Sequence, residues 1–187
     1  MSRPLVARTE EPMADGAAWD LGSVIGTYST LSTRAQDVVA KVERTDPSAP
    51  PDEDQTRAID DLATLASEGE SQLAIAARRW RDARIAQMDR LIEGLGRSQQ
   101  LGLSPEAHAV VQAQIDGFLA DRADLYRRAA GDFSTMVSPS EVGRLRQLMV
   151  DARLETIARK AVARILPLLT TASQLAAKVA VAVAGFE

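Results

Sequence analysis

The chain has 187 residues, with 26 acids against 22 bases, one His and no Cys. That excludes disulfides, thiolate metal sites and a cysteine nucleophile, and a net charge of −4 does not favour nucleic acid, whose phosphates need clustered cations. Hydrophobic residues are 45% but aromatics only 4%, an Ala-, Leu- and Val-rich mix suited to close-packed helices and not to sheet.

Charge is unevenly spread. Residues 1–77 carry 14 acids and 6 bases, while the remainder carries 12 acids and 16 bases. An acidic half facing a basic half suits a bundle, or head-to-tail assembly.

Residues 1–16 are polar, contain Pro4, Pro12 and Gly16, and read as a loosely docked N-terminal arm. They hold no apolar h-region of a signal peptide, so cytoplasmic residence is the expectation. A first helix is expected from Ala17 to Arg44. In it Leu21, Val24, Tyr28, Leu31, Ala35, Val38 and Val42 step by 3 and 4 residues, the seam of a helix laid along a partner. Thr45 to Asp52 holds three prolines and ends it.

The second helix, expected over 53–96, is the longest. Its seam runs Ile59, Leu62, Ala66, Gly69, Leu73, Ala76, Trp80, Ala83, slips by one residue, and resumes at Arg84, Met88, Leu91 and Leu95. Two such seams in succession predict an antiparallel hairpin. Gly69 is read either as a close helix approach or as a break.

Ser104-Pro105 is an N-cap followed by Pro at the first helical position, opening a third helix to about Ala130. Ser138-Pro139-Ser140-Glu141 has the form of a capping box and opens a fourth, expected to run antiparallel to the third. Pro167 should kink or end that helix, leaving a fifth from about Leu168 to Ala184.

The segment 165–186 carries one charge, Lys178, in 22 positions. It is long enough to span a bilayer, but Pro167, Thr170, Thr171, Ser173, Gln174 and Lys178 weigh against insertion. The order of preference is a core or oligomer-contact helix, then a membrane-associated tail, then a strand. Leu168, Leu169, Leu175, Val179, Val181, Val183 and Phe186 are its candidate contact residues.

Chemistry is sparse. One His cannot supply the paired Glu-x-x-His of a di-iron bundle, and there is no phosphate-binding glycine loop or nucleophile motif. Asp60-Asp61 are adjacent and do not share a helix face. Arg78, Arg79, Arg81 and Arg84 around Trp80 form the densest basic patch, which could bind phosphate, an anionic lipid headgroup or an acidic partner; arginines flanking a core Trp is the reading preferred over these.

The expectation is therefore an all-α protein: an antiparallel helical bundle or coiled-coil hairpins of four to five long helices. It comprises an arm (1–16), a bundle (17–164) and an apolar C-terminal helix (165–187). The expected role is non-enzymatic, without cofactor or metal. It is a structural or interaction protein within a homo- or hetero-oligomeric assembly, with lipid-surface association through 165–186 as the alternative. Nucleic acid and small molecules are not expected partners.

Overall fold

A computed structural model of the chain describes residues 21–128, 133 and 136–186. The expected arm, 1–16, lies outside the described residues. Five helices and no strand are present among those described: α1 Leu21–Val42, α2 Glu53–Gln99, α3 Pro105–Arg127, α4 Pro139–Ile157 and α5 Val162–Ala184. The chain is all-α, as the seams require.

Helices α1, α4, α5 and the first half of α2 form a four-helix bundle. Each packs on two neighbours, in the cyclic order α1, α2, α4, α5. Cross-helix contacts fix the directions. Tyr28 meets Gly69 and Thr45 meets Gln55 between α1 and the start of α2. Glu70 pairs with Arg146 and Asp60 with Arg153 between α2 and α4. Glu141 pairs with Lys178, and Glu155 with Arg164, between α4 and α5. All neighbours are therefore antiparallel.

The core is the seam as read. Val24, Tyr28, Leu31, Ala35 and Val42 of α1, Ile59, Leu62, Leu73 and Ala76 of α2, Leu145 and Met149 of α4, and Ile165, Leu169, Ala172 and Ala176 of α5 are essentially sealed from solvent. Alanines recur where α1 meets α5, and there two serines replace apolar residues. Ser32 and Ser173 are both buried and bond each other's backbone across the pair.

Helix α2 is 47 residues long, about 70 Å, and unbroken. Asp52 starts it with a capping box, taking Gln55 N–H on its side chain while Gln55 Oε1 takes Asp52 N–H. Gly69 does not break it. Its missing Cβ admits the Tyr28 ring, which a Cβ would meet at 3.2 Å. The close-approach reading holds.

Beyond Trp80 α2 leaves the bundle, and only α3 accompanies it. Asp89 pairs with Arg122 and Gln99 with Gln112, so α3 runs back antiparallel along it. Here the sequence reading needs correction. The seam continues at Ile85 and Met88, which are buried with Leu125 against Trp80 and Phe118, while Arg84 and Leu91 are exposed. The slip is larger than one residue because the partner changes from the bundle to α3, which lies on a different side of α2. The expected pairing of the third and fourth helices also fails. Helices α3 and α4 do not pack together, and both run antiparallel to α2.

Two further boundaries differ. The fourth helix ends at Ile157, not at Pro167. Arg159, with φ +51°, sits where a glycine usually would. Lys160 N–H bonds Glu155 O and Arg159 N–H bonds Thr156 O, closing a Schellman turn. Pro167 lies inside α5, in its second turn and facing solvent. Helix α5 has no side-chain cap. The proline loop supplies one instead: Val162 N–H bonds Ala49 O at 2.9 Å and Ala163 N–H bonds Pro47 O at 3.1 Å. Within that loop Asp46 accepts from Ser48 N–H and Ser48 Oγ, and these bonds hold its carboxyl below the usual carboxylate range. The capping box read at Ser138 is absent. Its hydroxyl pairs with Ser140 and makes no cap bond.

Candidate docking site

Two features follow from this architecture. The α2–α3 hairpin has one layer where the bundle has two. A pair of helices can hide only the stripe between them, so other apolar side chains on the hairpin face solvent. Leu101 is 80% exposed, Val110 60% and Tyr126 64%, with Leu91 and Leu119 also open. Exposed apolar side chains are a common feature of contact surfaces, and the bundle carries others at Leu154, Ile157 and Val181.

The second feature lies at the junction. Trp80 is half-buried and packs against both the bundle core and the hairpin cluster. Its ring meets Phe186 edge to face, centroids 5.5 Å apart. Above this pair opens a groove of about 1180 Å³, lined by Leu21, Trp80, Leu91 and Phe186 together with Arg84 and Arg90. Ala83 and Gly185 sit among them and keep it shallow-walled. The groove thus joins the start of α1, the end of α5 and the projecting part of α2.

The four arginines read as one patch do not act as one. Arg84 reaches the groove and donates to Gln87 Oε1 at 2.9 Å. Arg81 is held elsewhere, paired with Asp82 at 2.9 Å and bonded to the Arg128 carbonyl at the foot of α3. Arg78 and Arg79 are exposed at the end of the bundle. Arg90, which the sequence reading did not single out, is the second groove arginine, and its Nε donates to the Ala86 carbonyl. It lies one helical turn and a half beyond Arg84, so no local cluster flagged it. Of the basic residues of α3 and α4, Arg122, Arg127, Arg128, Arg146 and Arg153 are each paired with an acid, as on a salt-bridged surface.

The apolar C-terminal residues divide by face. Leu169, Val179 and Val183 are buried in the bundle, Leu168, Leu175 and Phe186 half-buried, and Val181 exposed at 74%. Helix α5 has the length and composition of a membrane span, and 39% of its most apolar window is buried inside the fold.

His108 is exposed on α3, and among the described residues no three His, Asp or Glu side chains converge as metal ligands would. Among the described residues the one strongly perturbed side chain is Tyr28, whose phenol burial, with Glu70 nearby, pushes well above its usual pKa. It sits in the core, away from either feature. No protein-family model matches this chain, and neither a curated protein nor a solved structure is found to resemble it.

Proposed function

We propose that this chain is a non-enzymatic interaction protein whose bundle is a scaffold and whose α2–α3 hairpin is the presented element, working within an assembly of protein chains. The observation that carries this reading is the hairpin's single-layered build. Helix α3 packs on α2 alone while Leu101, Val110, Leu119 and Tyr126 stay exposed. Apolar area left in water is a standing cost of about 25 cal/mol per Å², and a partner chain recovers it.

The test places a photo-crosslinking amino acid at Val110, at Leu119 and, as a control on the bundle, at Val181, in the cells that make the protein. The expected result is an adduct of defined mass from the hairpin positions and none from Val181. Adducts from Val181 alone, or none anywhere, sink the proposal.

A second reading rests on α5, whose composition suits a lipid surface. Entry into a bilayer would require Ile165, Leu169, Ala172 and Ala176 to leave the core, and Lys178 to leave Glu141, so it would need the bundle to open. Flotation with anionic and neutral liposomes tests it. Protein that floats, and stops floating on Val181→Asp, would replace the first reading with the second.

A further inference from the structure

We propose that the groove at Trp80 receives an amphipathic helix with an acidic polar face, supplied by a partner chain. The inference rests on the docking role above and names the chemistry of what docks.

The shape of the groove argues for a helix. Trp80, Arg84, Gln87 and Leu91 follow one another at i, i+4, i+7 and i+11 along α2, the spacing at which one helix receives another. They cover about three turns, roughly 16 Å. Ala83 and Gly185 let a backbone come close. The aromatic pair Trp80 and Phe186 offers a rigid apolar wall, and Trp and Arg are the residue types that dominate binding energy at interfaces.

Charge argues for acids on the arriving helix. Among the described residues no acid lines the groove. The other hairpin arginines have acidic partners: Arg81 with Asp82, Arg97 with Glu93, Arg122 with Asp89, Arg127 and Arg128 with Asp124. Arg84 and Arg90 are the exceptions. Each spends a single N–H on a neutral acceptor of its own helix, and neither forms an ion pair with a described residue. Guanidinium groups present two parallel donors to a carboxylate, so this pair is a ready receptor for Glu or Asp about two turns apart on a partner.

The experiment uses the full chain carrying Trp19→Phe, which leaves Trp80 as the one tryptophan. The probe is a synthetic heptad peptide with Leu on one face and Glu on the others, beside a twin with Lys in place of Glu. Trp80 emission is followed as each is added to the parent chain and to the double variant Arg84→Glu, Arg90→Glu, after circular dichroism shows equal helicity. Expected is a saturable shift with the Glu peptide that weakens at least about tenfold in the variant, and the opposite preference for the Lys twin.

Equal response of parent and variant, or no response to the Glu peptide, overturns the groove assignment. If hairpin adducts still form in that case, the docking role survives and only this inference fails. A Glu-peptide response that appears only when residues 1–20 are removed would show the groove to be filled from within the chain, and emission that changes with protein concentration alone would show it filled by a second copy. Either result also overturns the proposal.

Discussion

Ser32 on α1 and Ser173 on α5 exchange hydrogen bonds across the bundle: Ser32 Oγ donates to the Ser173 carbonyl at 3.0 Å, and Ser173 Oγ donates to the Ser32 carbonyl at 3.2 Å. A side chain as short as serine reaches a carbonyl of the facing helix only where the backbones are close, and Ala35, Ala172 and Ala176 keep them so. Both hydroxyls are buried, so each is tied to the other helix in a fixed register. Ser32→Ala and Ser173→Ala should each lower stability by about 1 kcal/mol. The double variant should lose less than the two together, because each change removes half of one reciprocal unit. Urea unfolding of the four chains measures this, and strict additivity would show the two bonds to be independent.

Tyr28 poses the opposite case. Its hydroxyl is buried and has no hydrogen-bond partner among the described residues. Tyr28→Phe removes an unsatisfied group and keeps the ring, so at neutral pH stability should be unchanged or rise by up to about 1 kcal/mol. Burial, with Glu70 nearby, raises the phenol's pKa above its ordinary value. An acid whose folded pKa is raised favours the folded state only while protonated in both states. That contribution is complete below the unfolded pKa of about 10 and is lost as pH rises beyond it. The advantage of Tyr28→Phe should therefore widen from pH 9 to about pH 11. A difference that stays flat over that range would contradict the burial argument.

Gly69 lies against the same ring. Replacing a helix-interior Gly by Ala ordinarily gains about 1 kcal/mol. Here the added Cβ would stand 3.2 Å from Tyr28 Cζ and 3.3 Å from Thr27 Cγ2. The ring is sealed in the core and cannot swing away. Overpacking of this kind costs about 1–3 kcal/mol, so Gly69→Ala should destabilise by about 1 kcal/mol net. A rise in melting temperature would mean that α1 and α2 separate more easily than their packing implies.

How much of this was legible depended on whether the cause lay in the local sequence. The α1 seam, the α2 seam as far as Ala76, the proline loop and the Ser104-Pro105 start were read correctly because each is set by residue type at fixed spacing. The start of α5 was misplaced because its first N–H groups are capped by carbonyls of Pro47 and Ala49, more than a hundred residues away. The end of α4 was missed because Arg159, not Gly, adopts the left-handed turn. The groove was half visible. Arg84 and Trp80 stood out, but Phe186 joins them only because the packing of α5 on α1 and α4 brings its end beside Trp80.

Arg159 carries a prediction of its own. A non-glycine residue in the left-handed region costs about 1 kcal/mol, and this position closes the Schellman turn. Arg159→Gly should raise stability by up to about 1 kcal/mol, since the turn's bonds come from the backbone and remain. The urea midpoint checks it. A fall would show that the arginine side chain holds the turn, not merely tolerates it.

The hairpin should open before the bundle does. Its buried set, Ile85, Met88, Ile115 and Leu125 with parts of Trp80 and Phe118, is small beside the bundle core, and solvent reaches most of α3. A unit with so little buried apolar surface opens at a fraction of the global free energy. Native-state hydrogen exchange should therefore show amides near Met88 and Leu125 exchanging well ahead of those near Leu73 and Leu169. Met88→Ala removes about 2 kcal/mol of local packing and should accelerate exchange in the hairpin alone. Bundle amides should keep their rates, because α3 touches no bundle helix other than α2. If Met88→Ala speeds exchange at Leu169 equally, hairpin and bundle unfold as one unit through the continuous α2. Partner binding at the hairpin would then be felt throughout the core.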